Sequence, residues 1–382
     1  MKAGNRRLLS HDLTLTTALV HIFATAATAA APPSFIGLGT HSTLRYEYAG
    51  GISADGLTVF GPVNDIVCGD ALSPRGCNDP RPVEAWRWTM QGGMLGLGTE
   101  STARAISADG SIVVGQAAGG AARWTDQDGW VNLPFDFASG VSADGSVVVG
   151  STNGSGAIRW TLQGGPQSLG ILPGYFSSHA TSVSADGSTV VGYSAGGPYP
   201  FTFQSFRWTP ATGMVGLGFT IDSRGNYVRS VSADGSVMVG LSWNFTNAEE
   251  AFRRTSDGLD DKLGFLPGMT RSDALAVSGN GSVVVGSSWS GQTAPSAFIW
   301  TAAQGMRSLR DVLIADYGLD LNEWTLTEAR GISEDGLTIV GIGSTSRGPE
   351  SWIAHVPEPS SMSMIFLSAA FIARMKRRSR YT

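Results

Sequence analysis

Acidic residues recur at one fixed place along this chain. A ten-residue segment resembling VSADGSVVVG occurs seven times, and its fourth position holds Asp55, Asp109, Asp144, Asp186, Asp234, Asn280 and Asp335. Carboxylates brought together from repeated units could supply the oxygen ligands of a divalent cation or work as a paired acid and base. The sixth copy argues against both, because it reads Ser278-Gly279-Asn280-Gly281 and an amide does not ionise. Asn and Asp are near equivalents in tight turns, where both bond to neighbouring backbone. The serine two places earlier and the glycine next in line recur in every copy. So does a second glycine closing the next strand, from Gly61 through Gly115, Gly150, Gly192, Gly240 and Gly286 to Gly341. The segment is therefore expected to be a hairpin turn whose first glycine takes a positive φ.

Other residues capable of chemistry are scattered. His41, His179 and His355 have no recurring partner, and no nucleophile elbow, metal motif or phosphate-binding loop is present. Glu249-Glu250 and Asp260-Asp261 read as solvated turns rather than as a glycosidase pair. No cofactor and no metal are expected. Cys68 and Cys77 share one Gly/Pro-rich loop without a histidine, which suits a local disulfide in an exported protein better than a metal site.

The elements that must carry these residues are strands. The chain has 382 residues with 51 glycines and few charges, a composition suited to a turn-rich all-β fold. The repeats start about 47 residues apart, close to the length of a four-stranded propeller blade. Around Val183 the unit parses into ATSVS, STVVGYS, SFRWT and MVGLG, with Gly and Asp between them. The last repeat lacks its fourth strand, and SFIGLG at 34–39 stands as an orphan ahead of the first. A seven-bladed β-propeller explains both, with the N-terminal strand completing the last blade and removing free edges. One short helical insertion is expected near 308–318, capped by Ser308 with Asp311 and stopped by Gly318.

Aromatic residues divide into two groups. Trp88, Trp124, Trp160, Trp208, Trp300 and Trp352 recur and read as packing between blades. Arg87, Arg123, Arg159, Arg207 and Arg253 recur beside them, which suggests an Asp–Arg pair across each blade. Trp243 and Trp289 lie outside the pattern, at matching places in neighbouring blades, with Tyr193, Tyr199, Phe201 and Phe245 in the same class of loop. Clustered exposed aromatics could stack on sugar rings, so Trp243, Trp289, Tyr193 and Tyr199 are the candidate ligand-binding residues.

Both ends read as processing signals. Residues 1–29 combine basic residues, an apolar stretch and an Ala-Thr-Ala site, the layout of a secretory signal peptide. The propeller then spans 30–356. Residues 357–382 begin with Pro357, Glu358 and Pro359, continue as a short apolar run and end in a basic cluster. This tail resembles the PEP-CTERM sorting signal, and the repeats, with Ala85-Trp86-Arg87-Trp88-Thr89 and Ala297-Phe298-Ile299-Trp300-Thr301, resemble the HAF family of extracellular repeats. The resemblance implies an exported surface or matrix protein of a Gram-negative bacterium. Signal peptidase and exosortase would be its processing partners, with transient membrane contact through the tail. It carries over no catalytic residues. With both ends set aside the middle is acidic, which argues against nucleic acid. The expected function is a structural or binding module, for exopolysaccharide or protein, rather than an enzyme. The alternative is a hydrolase or lyase acting on polysaccharide.

Overall fold

In the computed structural model, the residues described are 31–39, 46–64, 84–153, 156–197, 203–219, 223–246, 248–258, 260–291 and 293–357. They form seven antiparallel sheets arranged as the blades of a propeller. Blade four is representative: Ser177–Val183 innermost, then Val190–Ala195, Phe203–Thr209 and Gly213–Gly216 outermost. In blade seven, Thr325–Ile332, Thr338–Thr345 and Gly348–His355 are joined by Ser34–Gly37, which pairs Ser34 with His355 and Gly37 with Trp352. The ring is thus closed by a strand from the opposite end of the sequence, as expected.

The recurring turn has a local physical cause. In blade four the buried Ser184 hydroxyl accepts the Thr189 N–H at 2.9 Å and donates to the Asp186 carboxylate at 2.6 Å. Asp186 also accepts the Ser188 N–H at 2.9 Å, and Gly187 sits at φ 72°. Asn280 accepts the same pair of bonds, from Ser278 at 2.9 Å and from the Ser282 N–H at 3.0 Å. An amide oxygen therefore replaces the carboxylate without rearrangement. The Asp–Arg pairing suggested by the repeats does not form. Asp186 is committed to its own turn, and Arg159 and Arg253 instead donate to the carbonyls of Gly187 and Gly281 in the next blade, at 3.2 and 3.1 Å.

The residue between serine and aspartate closes a collar. Backbone N–H groups at this level donate to the neighbouring blade's carbonyl: Ala108 to Ala143, Ala143 to Ala185, Ala185 to Ala233, Ala233 to Gly279 and Gly279 to Glu334. Glu334 donates to Ala54 and Asp55 to Ala108, so hydrogen bonds of 2.9–3.1 Å run around the whole ring.

The second glycine answers a bulge. In six blades the innermost strand skips one residue in its pairing, for example between Ala180 and Ser182. The skip pushes the carbonyl of the residue before Ala180 toward the neighbouring strand, where a Cβ on Gly192 would lie 2.0 Å from the His179 oxygen. A side chain there is excluded.

Between blades the packing is apolar. Trp88, Trp124, Trp208 and Trp300 are 5–8% exposed. Trp352 does not belong to this set. It faces Gly341, as Phe206 faces Gly192, and Ala354 takes the place equivalent to Trp208. The tryptophan of the last blade thus stands two residues ahead of the repeat position. The helix, Leu309–Ala315, buries Leu309, Val312 and Leu313 between blades six and seven. Ser308 caps it by accepting the Asp311 N–H, and Gly318 follows at φ 69°.

Candidate functional site

The innermost strands surround a central channel with a cavity of about 280 Å³. The collar lies at one end of it, with alanines, Gly279 and Glu334. A bulge re-aims the residue that it leaves unpaired, and the six residues skipped just ahead of the V/I-S pair line the channel: Arg104, Ser139, Thr181, Arg229, Leu275 and Arg330. In blade one the equivalent position is Gly50, before Gly51–Ile52. The scaffold is nearly invariant from blade to blade, yet these seven positions carry three arginines, two hydroxyls, a leucine and a glycine. Sequence reasoning missed them because they do not recur. The available signal was position: two residues before each V/I-S pair, the copies disagree.

Two of the arginines are neutralised. Arg229 donates from Nε and Nη2 to both oxygens of Asp273, the shortest at 2.6 Å. Asp273 is 5% exposed. Burial raises its carboxyl above the ordinary range, Arg229 opposes that, and Glu249 and Glu328 add to it. Arg330 pairs with Glu328 at 2.7 Å and leans over the Tyr48 ring at 5.9 Å. Arg104 is exposed to the channel, and no ion pair to it is found among the described residues.

Away from the collar an aromatic tract leads to these charges. Trp243 meets Phe203 edge-on at 5.6 Å, and Phe203 lies 5.9 Å from Tyr193. Tyr193 stacks on His179 at 5.0 Å and lies 4.3 Å from Tyr227. The Arg229 guanidinium covers the Tyr227 ring at 4.8 Å. All five rings are half-buried. Burial lowers the His179 pKa, which favours the neutral imidazole. Burial, with Tyr227 alongside, raises the Tyr193 hydroxyl well above its ordinary value. His179 Nδ1 lies 3.1 Å from the Ser151 hydroxyl, but Ser151 is 3% exposed and closed to a substrate.

The structure places the sequence candidates as follows. Trp243, Trp289 and Tyr193 sit in the second strands Val237–Asn244, Val283–Ser290 and Val190–Ala195, not in loops. Trp243 lies over Gly225, and Trp289 pairs with Arg271. Tyr193 and Trp243 join one tract, whereas no ring contact ties Trp289 to it among the described residues. Tyr199 and Phe201 lie outside the described residues, as do Cys68, Cys77, Glu358 and Pro359. The Pro357 carbonyl accepts the Tyr317 hydroxyl at 3.0 Å. The acidic pairs are not solvated turns. Glu249 and Glu250 begin the strand Glu249–Thr255 and pair with Arg271 and Lys262, both at 3.2 Å, while Asp261 pairs with Arg253 at 3.0 Å. Alternation along a strand between basic neighbours, not a turn, explains them. Among the described residues no group of three or more His, Cys, Asp and Glu could hold a metal, and no helix is long and apolar enough to cross a membrane.

Closed ring, collar and channel define the chain as a β-propeller. No protein-family model and no curated protein matches it. Among solved structures it is similar to virginiamycin B lyase from Staphylococcus aureus, at 15% identity over 85% of this chain and 99% of that one, with a TM-score of 0.50. The β-propeller domain of the trilobed protease from Pyrococcus furiosus matches at 10% identity over 83% of this chain and 97% of that one, with a TM-score of 0.50. That propeller is described as having an open velcro topology, whereas Ser34–Gly37 closes this one. TolB from Acinetobacter baumannii matches at 11% identity over 80% of this chain, with a TM-score of 0.42, and the chain spans 65% of its length. At these identities the likeness is one of fold alone.

Proposed function

We propose that this chain is an exported propeller that binds glycan at the channel mouth over blades four and five, as a structural or recognition module of the envelope or extracellular matrix. The observation that supports this reading is the aromatic tract, which passes from Trp243 through Tyr193 to Tyr227 and ends under Arg229. Half-buried rings offer apolar faces for the C–H surface of a sugar, and polar groups at their edges fix its orientation. Export rests on the two terminal signals and the resemblance to PEP-CTERM tails.

Binding is favoured over hydrolysis by the condition of the acids. A glycosidase needs two carboxyl groups free to face the scissile bond. Asp273 and Glu328 are both held by arginines at 2.6 and 2.7 Å. The test is an array of neutral and acidic oligosaccharides probed with the mature propeller and with the Trp243→Ala/Trp289→Ala variant. Retention of at least one glycan, lost in the variant, is expected. Unchanged retention in the variant removes this face as the site, and turnover of a retained glycan replaces binding with catalysis.

A further inference from the structure

Resting on the reading of the chain as a glycan-binding module, we propose that a second cavity, between blades five and six, holds one neutral hexose unit by two neighbouring hydroxyls and one ring face. The cavity measures about 300 Å³, the lower end of the ~300–1,000 Å³ typical of small-ligand pockets. It lies across the blade-five hairpin from the aromatic tract. Trp243 reaches toward Phe203 of blade four. Its chain neighbours Ser242 and Asn244 line this cavity instead, because successive side chains of a strand point to opposite faces. Phe265 and Met269 complete the wall from the connection between the strands Asp260–Gly264 and Arg271–Val277. A glycan lying over the hairpin meets both the tract and the cavity.

The lining selects the charge and class of the ligand. Its charged residues are Glu250 and Lys262, which pair at 3.2 Å. The cavity as a whole is therefore neutral and favours neither an anion nor a cation. The pairing uses Glu250 Oε2. Oε1 has no hydrogen bond among the described residues, and the ammonium keeps further N–H groups to donate. An acceptor and a donor held side by side match adjacent hydroxyls of a pyranose, one donating and the other accepting. Asn244 Oδ1 accepts the Thr246 and Ala248 N–H groups at 2.9 and 3.0 Å. Those bonds fix the amide and leave its Nδ2, without a hydrogen-bond partner among the described residues, as a further donor. Phe265 is 38% exposed and offers its ring to the C–H face of the sugar. Donors, acceptor and ring thus share one cavity, and the fold leaves them unused.

The experiment is NMR titration of the mature protein with D-glucose, D-galactose and D-mannose, which differ in the arrangement of their neighbouring hydroxyls, and with D-glucuronate. The parent is compared with Phe265→Ala, Glu250→Gln and Trp243→Ala, folding being checked by thermal melting. At least one neutral hexose is expected to bind, and more tightly than glucuronate. Glu250→Gln is expected to weaken it about tenfold, the loss of one hydrogen bond to a charged group. Phe265→Ala should weaken it several-fold, and Trp243→Ala should leave it unchanged. Glu250→Gln also unpairs the Lys262 charge, so this variant is expected to bind glucuronate more tightly than the parent does, a gain that mere damage to the fold does not give. Hexose binding unchanged by both Phe265→Ala and Glu250→Gln overturns the cavity and leaves the glycan reading to the tract. Preference of the parent for glucuronate over all three hexoses overturns the neutral ligand. Absence of hexose binding here, with a glycan still retained on the array, overturns the cavity alone. Absence of any bound saccharide in both experiments overturns the cavity and the glycan reading together.

Discussion

Phe35 stacks on Trp352, their ring centroids 5.9 Å apart and their planes 27° from parallel. One residue lies on the strand Ser34–Gly37 and the other on Gly348–His355, so this contact joins the two ends of the propeller. Phe35 also meets Trp324 edge-on at 5.1 Å. Phe35→Ala removes both contacts and weakens the four-residue pairing that closes the ring. Because Phe35 is only partly buried, a loss of about 2–3 kcal/mol is expected, the lower part of the range for large aromatic truncations. Urea denaturation measures it. An unchanged midpoint would show that closure does not depend on this strand.

The second glycine of each repeat predicts a contrast between two identical substitutions. A Cβ at Gly115 would lie 1.8 Å from the Thr102 carbonyl oxygen, backbone that cannot swing aside. Gly165 sits at φ 65° with nothing within 4 Å of the same position. Gly115→Ala is expected to cost more than about 3 kcal/mol, since overpacking against backbone adds to strain. Gly165→Ala should cost about 1 kcal/mol, the penalty for a left-handed residue with a Cβ. Comparable shifts in melting temperature for the two would contradict the clash.

These glycines show what a single sequence can convey. Seven copies of one segment identify the turn, the blade count and the closing strand, because each is set by local backbone needs that repeat. The channel site is written in the opposite way. Arg104, Ser139, Thr181, Arg229, Leu275 and Arg330 share a place in space, but the bulge that aims them inward leaves no mark in their own residue types. The aromatic tract was half legible. Tyr193 and Trp243 stood out as departures from the repeat, while Tyr227 and His179 lie on innermost strands, where alternation alone gives them no role.

The turn aspartates predict an acid-sensitive ring. Serine hydrogen bonds hold Asp144, Asp186 and Asp234 below the usual carboxylate value, and the Ser111 N–H does most to lower Asp109. A carboxyl whose folded-state pKa is depressed contributes stability above its unfolded value, near pH 4, and loses it as pH falls through the folded one. The Asp109→Asn/Asp144→Asn/Asp186→Asn/Asp234→Asn variant copies Asn280 in four more blades. It is expected to fold, and its melting temperature should fall less than the parent's between pH 5 and about pH 2. Parallel curves for the two proteins would assign the acid sensitivity to other carboxyls.

Ser184 predicts the cost of one buried hydroxyl. It is 1% exposed, accepts the Thr189 N–H and donates to Asp186. Ser184→Ala leaves that buried N–H without a partner, which costs about 1–3 kcal/mol. Asp186 is exposed and keeps the Ser188 N–H, so Asp186→Ala should cost less. The order of the two urea midpoints checks this, and the reverse order would make the carboxylate, not the hydroxyl, the anchor of the turn.

Arg229 and Asp273 allow a prediction in which stability changes sign of dependence on pH. In the parent the buried carboxylate is opposed by a guanidinium bonded to both its oxygens. Arg229→Met keeps the aliphatic bulk over Tyr227 and removes the charge. Asp273, with a side chain 8% exposed, is then a buried acid with Glu249 and Glu328 nearby, so every remaining influence pushes its pKa upward. A carboxyl with a raised folded-state pKa adds stability below its unfolded value, and that contribution is lost as pH rises through the folded one. Arg229→Met should therefore be more destabilised at pH 8 than at pH 5. Breaking a fully buried pair costs ~3–5 kcal/mol, and because the Arg229 side chain is itself 38% exposed, the deficit at pH 8 should be near the lower end, about 3 kcal/mol. Arg229→Met/Asp273→Asn removes the titrating group and should restore a pH-independent difference from the parent. If the single variant is equally unstable at both pH values, Asp273 stays ionised without its partner, and the channel wall is better solvated than its burial implies.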